Sequence, residues 1–202
     1  MIAIVDYGVG NLFSLRSSLD AVGAEVTVTS DPETLRNADK IILPGVGAFE
    51  DAAAKLRASG LDRVLIALAA EGKPLLGICL GMQLLFDESH EYGIHRGLGL
   101  IPGSVRPIRD VIPADYKIPH IGWNGLKFRG SCPLFRELKE GDCVYFVHSF
   151  YAADCEPSIT AIADYGAELT AAVARGNVYG CQFHPEKSGR VGLAILKAFA
   201  EL

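Results

Sequence analysis

Cys79, His184 and Glu186 are residues of the types that can together carry out nucleophilic acyl transfer. Cys79 lies in Leu75-Leu76-Gly77-Ile78-Cys79-Leu80-Gly81-Met82-Gln83, where an aliphatic run passes into a helical pattern through Gly-x-Cys-x-Gly. This is the thiol form of the nucleophile elbow. A sharp strand-to-helix turn strains the central residue, and the flanking glycines remove side chains that would clash there. The thiol then stands at a helix N-terminus, whose partial positive charge favours thiolate. The same turn offers the Leu80 N–H to a developing oxyanion. An isolated cysteine is more often a small buried hydrophobe. The two glycines and the strand-to-helix setting favour chemistry instead.

A thiol nucleophile needs a base, and the base needs an orienter. Among five histidines, His184 ends the alternating run Gly180-Cys181-Gln182-Phe183-His184-Pro185-Glu186-Lys187-Ser188. Strand ends are where sheet proteins present side chains to a site. Glu186 is two residues on, so an extended backbone places both side chains on one side, and Pro185 stiffens the dipeptide. The carboxylate can fix the imidazole tautomer and stabilise the imidazolium. Taken alone, His-Pro-Glu reads equally well as a surface turn, with a solvated glutamate and Lys187 as its salt partner.

These groups need a scaffold, and the first half of the chain supplies a regular one. Apolar runs at 2–5, 25–29, 40–43 and 74–78 read as strands. Helical patterns at 12–22, from 32, at 48–71 with a break near Ser59-Gly60, and at 80–86 lie between them. Gly23 stops the first helix, while Asp31-Pro32 is an N-cap followed by proline at the first helical position. Strand, helix, strand, helix predicts a three-layer, doubly wound α/β fold with right-handed crossovers. After residue 90 glycines and prolines crowd, and strand-like runs follow at 99–108, 120–128, 143–151, 159–165, 170–175 and 178–183. Their close spacing predicts antiparallel additions to the sheet. A last helix over 189–202, capped by Ser188, would bury Val191, Ile195, Leu196 and Phe199. Without linker or repeat, residues 1–202 read as one domain.

Bulk properties exclude several classes. A net charge of −5 with no basic cluster argues against a nucleic-acid surface. No apolar run approaches the roughly 20 residues of a membrane span. Met1–Asp6 reads as a first strand rather than a leader. Five dispersed cysteines without C-x-x-C spacing argue for reduced thiols in the cytoplasm, and neither a disulfide framework nor a metal site is expected. No cofactor is expected either.

The pair Gly77-Ile78-Cys79-Leu80-Gly81 and His184-Pro185-Glu186, roughly a hundred residues apart, resembles the class I glutamine amidotransferases. That family uses a Cys-His-Glu triad on a flavodoxin-like fold, and the resemblance runs along the whole chain. Tyr7-Gly8-Val9-Gly10-Asn11, Pro44-Gly45-Val46-Gly47 and His120-Ile121-Gly122-Trp123-Asn124 are similar to one branch, the glutaminase subunits of imidazole glycerol phosphate synthase. The resemblance implies hydrolysis of L-glutamine and delivery of ammonia to a (β/α)8-barrel cyclase subunit in a heterodimer. It makes Gly45, Val46 and Gly47, with Leu80, the oxyanion site; a Pro-Gly turn alone accounts equally for the loop. Gln83 would hydrogen-bond glutamine, and Ser149 and Phe150 would hold its amino-acid end. Phe150 stands where the family usually has tyrosine, so a backbone contact would survive and a hydroxyl contact would not. Asn11, Trp123, Tyr145 and Lys187 would lie near the partner and the ammonia exit. Residue chemistry alone also fits Asn11 as a helix cap and Trp123 as a core aromatic. Two rivals remain: a stand-alone cysteine hydrolase or peptidase on this fold, and a non-catalytic flavodoxin-like binding module.

Overall fold

The computed structural model describes residues 1–202. The first half runs β1 (Ile2–Val5), α1 (Leu12–Ala21), β2 (Val26–Thr29), α2 (Pro32–Asn37), β3 (Lys40–Leu43), α3 (Phe49–Ser59), α4 (Leu61–Ala70), β4 (Leu75–Ile78) and α5 (Leu80–Gln83). Strands then dominate: β5 (Phe86–Ser89), β6 (His95–Arg96), β7 (Ile101–Pro107), β8 (His120–Gly125), β9 (Lys127–Phe128), β10 (Cys143–His148) and β11 (Phe150–Ala153). β12 (Ile159–Asp164), β13 (Glu168–Arg175), β14 (Val178–Cys181) and α6 (Gly189–Ala200) complete the chain.

The main sheet has eight strands in the order β2-β1-β3-β4-β14-β13-β12-β9. Its first five are parallel and the remaining pairings are antiparallel. The parallel strands are short continuous apolar runs because both faces are covered. Ala3, Val5, Ile41, Leu43 and Leu75 pack in one core with Leu35, Phe49, Leu56 and Leu65 of α2, α3 and α4. Their neighbours Ile2, Ile4, Ile42, Leu76 and Ile78 pack on the opposite face with Leu15 and Leu19 of α1 and Ile195, Leu196 and Phe199 of α6. The two-residue side-chain period of a strand thus builds two cores from one sheet. The α/β doubly wound expectation holds.

Local capping follows the sequence in two places and departs from it in a third. Asp31 caps α2 by accepting the Thr34 N–H at 2.8 Å, and Gly23 follows α1 with a φ of +79°. Ser188 precedes α6 but makes no capping bond. Its hydroxyl donates to the His184 carbonyl at 2.6 Å and accepts the Tyr145 N–H at 2.9 Å, tying the loop after β14 to β10. Val191 is only partly buried.

The second half differs from expectation in how its strands are shared out. Only β14, β13, β12 and β9 extend the main sheet. β10 and β8 pair as a separate antiparallel ribbon, and β11, β7, β5 and β6 form a third sheet. The 120–128 run breaks at Leu126 and the 143–151 run breaks at Ser149, so each supplies strands to two sheets. The helix after Cys79 ends at Gln83, and Phe86 already belongs to a strand. No helix is long and apolar enough to cross a membrane.

Candidate functional site

The parallel strands β3, β4 and β14 lie side by side, and their carboxyl ends open at one edge of the sheet. Ligands of open α/β sheets gather at this edge. At the end of β4 the chain turns at Cys79 with φ 55° and ψ −113°. This conformation is strained for any residue with a Cβ. The Cys79 N–H donates to the Cys181 carbonyl of β14 at 2.8 Å, which anchors the turn. Gly81 allows it to pack: a Cβ there would lie 1.9 Å from the Leu43 carbonyl oxygen. Behind it, a Cβ on Gly45 would lie 2.6 Å from the Gly81 nitrogen. The loop after β3 and the first turn of α5 are therefore in direct backbone contact.

The helix α5 is a single turn of four residues. Its first backbone bond runs from the Gln83 N–H to the Cys79 carbonyl at 3.2 Å. The Leu80 N–H thus precedes the helical ladder and can serve an oxyanion. A helix this short carries little macrodipole. The expected electrostatic help from a longer helix is correspondingly reduced.

His184 follows β14, with its N–H bound to the Tyr145 carbonyl at 3.0 Å. Its Nδ1 meets Glu186 Oε1 at 2.8 Å, and the two side chains are 3% and 4% exposed. Glu186 is therefore a buried partner of the imidazole, and the solvated-turn alternative does not describe it. With Nδ1 on the carboxylate, Nε2 is left for the sulfur. Burial pulls the His184 pKa down. Hydrogen bonds to Cys79 and Glu186, and the charges of both, outweigh burial and push it up to about 9.

A cavity of about 330 Å³ opens over the sulfur. It is lined by Val46, Gly47, Cys79, Leu80, Gln83, Ser149, Phe150 and His184, so the structure brings eight of the expected residues together. Gly45 lies beneath the loop, and Glu186 stands behind His184. The Gln83 amide nitrogen is bound to the Phe150 carbonyl at 3.1 Å and to Gln182 Oε1 at 3.0 Å. Both of its donors are used, which leaves its oxygen for a ligand. The Phe150 carbonyl also accepts from His148 Nδ1 at 2.7 Å. Both lone pairs of that carbonyl are engaged, so it is not available to a ligand.

Five further residues line the cavity: Glu91, Tyr92, Pro119, Val147 and His148. Tyr92 is 90% exposed. Its ring meets Phe150 edge-on with centroids 6.1 Å apart, and its φ is +53°. Glu91 accepts the Phe49 N–H at 2.7 Å, fixing the β5–β6 hairpin to the start of α3. The sequence gives no sign of the first three; only Val147 and His148, which directly precede Ser149, adjoin residues it singles out.

Asn11 caps α1 by accepting the Ser14 N–H at 3.4 Å. It also lines a small cavity beside His184 and Glu186. Trp123 is 58% exposed and is not a core aromatic. Its ring lies 6.1 Å from Tyr145, and Lys187 Nζ lies 6.0 Å from the Tyr145 ring centroid. These three therefore form one surface cluster. No group of three or more His, Cys, Asp or Glu residues has a metal-binding arrangement.

Comparison with known proteins gives a consistent picture. Residues 3–201 match the family Glutamine amidotransferase class-I. The chain is 50% identical to the imidazole glycerol phosphate synthase subunit HisH of a Geobacillus strain, covering 100% of this chain and 97% of that one. It is 46% identical to the HisH subunit of Listeria monocytogenes, covering 100% and 96%. Among solved structures it resembles a glutamine amidotransferase with a TM-score of 0.77 at 19% identity, covering 100% of both chains. It likewise resembles PurLQS from Thermotoga maritima with a TM-score of 0.77 at 21% identity, covering 99% and 97%. At these identities the structural likeness concerns the fold.

Proposed function

The chain belongs to the class I glutamine amidotransferases, and from that premise we propose how its residues divide the family's reaction. It is the glutaminase subunit of imidazole glycerol phosphate synthase, hydrolysing L-glutamine to L-glutamate and ammonia for histidine biosynthesis. The observation that carries the assignment of roles is the buried His184, held by Glu186 and lining the same cavity as Cys79.

The Cys79 thiolate attacks the side-chain carboxamide carbon of glutamine. The Leu80 N–H and the Gly45, Val46 and Gly47 loop hold the developing oxyanion, and each such donor lowers the barrier by about 2.7–4 kcal/mol. His184 is well placed to enter this step as imidazolium, because its pKa is raised to about 9. It protonates the departing nitrogen, ammonia leaves, and a glutamyl thioester remains. His184, now neutral, takes a proton from water as the water attacks the thioester. Glutamate is released and the thiolate returns. Glu186 stabilises the imidazolium at each appearance. Gln83 presents its amide oxygen to the substrate, and Ser149 and Phe150 border the amino-acid end.

The chain works with a synthase partner, which we take to be a (β/α)8-barrel cyclase subunit bound in a heterodimer. Ammonia released into water would be protonated and lost. The surface of Asn11, Trp123, Tyr145 and Lys187 is the proposed docking and exit region. Residues 1–202 act as one amidotransferase domain, without cofactor or metal. The five free cysteines suit the cytoplasm.

The test is glutamine hydrolysis by wild type and Cys79→Ala, each with and without the barrel subunit and its nucleotide ligand. Turnover should require the barrel subunit for its full rate and fall at least about a thousandfold in the alanine variant. Full turnover by the chain alone would favour an independent hydrolase. An alanine variant as active as wild type would reduce the chain to a binding module.

A further inference from the structure

We propose that Gln182 is a further catalytic residue, whose side-chain N–H donates to the Cys79 sulfur and favours the thiolate. Gln182 is completely buried beside the nucleophile, and its Nε2 lies 3.8 Å from Sγ. This inference rests on Cys79 being the nucleophile and extends that reading.

The orientation of the amide follows from its neighbours. A glutamine presents an oxygen at one end and a nitrogen at the other, and only its bonding partners say which is where. The Phe150 carbonyl can only accept, so the Gln83 atom 3.1 Å away must be nitrogen. That nitrogen lies 3.0 Å from Gln182, so the Gln182 atom facing it must be oxygen. The opposite end of Gln182 is then nitrogen, and it points at the sulfur. His148 pins the same carbonyl from a second direction at 2.7 Å. A chain of neutral groups thus aims one N–H at the reacting atom.

The sulfur needs such a donor. The α5 helix is one turn long and contributes little dipole. The other titratable groups beside the sulfur are His184, with Glu186 behind it, Tyr7, and Cys181, whose thiol burial holds protonated. The Tyr7 hydroxyl is committed to the Pro44 carbonyl at 2.7 Å. Burial and the sulfur's charge both hold the Tyr7 pKa above its ordinary value, so it stays neutral. His184 gives up its proton during the reaction, whereas an amide N–H is never lost. Gln182 therefore remains a donor to the sulfur through every step, including expulsion of the thiolate from the thioester.

Alkylation by iodoacetamide reads the thiolate directly. The full chain would be treated across pH 5–10, with mass spectrometry following the peptide that carries Cys79. Wild type would be compared with Gln182→Met, which keeps the length and loses the donor, and with Gln182→Glu. The alkylation midpoint should move up in both, and the rate at pH 7 should fall about three- to tenfold in the methionine variant. Unchanged midpoints in folded variants would overturn the proposal, since a packing role would lower the melting temperature alone. Should neither variant fold, Gln83→Leu leaves Gln182 in place but unlocks its amide. A smaller upward movement is expected there, and none would equally overturn the idea. The two readings fail separately, because glutaminase activity surviving Cys79→Ala would sink the nucleophile while leaving the alkylation result readable.

Discussion

Two groups of histidines in this molecule are equally buried and oppositely tuned. His184 and His120 are each 2% exposed and His148 is 6% exposed. His184 meets a carboxylate and a sulfur, and its pKa is pushed up to about 9. His148 has no countercharge. It donates from Nδ1 to the Phe150 carbonyl and meets His120 Nδ1 at 3.0 Å through Nε2. Burial pulls His148 down to about 3, helped by the charges of His120 and His184. His120 is stacked between Tyr165 and Phe146, with centroids 4.1 and 4.8 Å away, and burial pulls it down to about 4. Depth therefore does not decide the charge of a histidine. A partner able to carry the opposite charge does.

The sharpest way to break this contrast is Glu186→Gln, which keeps the shape and removes the charge. Only the sulfur then opposes burial at His184. We expect its pKa, read by NMR titration, to fall from about 9, and glutamine hydrolysis by the complex to drop about 10³–10⁴-fold. A pKa still near 9 would show that the sulfur alone holds the proton.

Stability against pH should separate the two groups next. As pH falls below 6.5, unfolded histidines bind protons that folded His120 and His148 refuse until about 4 and 3. Stability is therefore lost toward acid, with His148 contributing up to about 1.4 kcal/mol per pH unit. His184 acts in the opposite sense. Its contribution is complete below 6.5 and is lost as pH rises through about 9. Urea unfolding at pH 5 and 7 should show the acid loss, and His148→Gln should flatten it. The smallest effect is expected from Asn124→Ala. Asn124 reaches His120 Nε2 at only 3.5 Å while its main bond goes to the Asp164 carbonyl at 2.8 Å. A loss of about 1 kcal/mol or less in urea unfolding, with glutaminase activity intact, is the expected result.

What the sequence revealed and what it concealed have the same cause. Gly77, Gly81, Pro185 and the spacing of His184 and Glu186 are local signals, and a local turn needs no distant partner to be recognised. The parallel strands were legible for the same reason, as short aliphatic runs bounded by caps such as Asp31. Gln182 carries no such signal, because its meaning depends on Gln83 and Phe150, far away in the chain. The same holds for His148, whose partner His120 sits on another strand. Alternation identified the second-half strands but not their sheets, since pairing is decided by contacts that the period of two leaves open. Ser188 illustrates the limit well. Its position before α6 suggests a cap, yet the His184 carbonyl and the Tyr145 N–H take its hydroxyl first.

The backbone at Cys79 has a consequence for how this sequence can drift. With φ at 55° and ψ at −113°, the position holds a conformation comfortable only for glycine. Any residue with a Cβ is destabilised there by about 1–3 kcal/mol. Selection for robustness alone would thus pull position 79 toward glycine, the one exchange that relaxes the turn and deletes the sulfur in a single step. A chain that no longer needed a thiol at this corner would gain thermal tolerance by exchanging it for glycine.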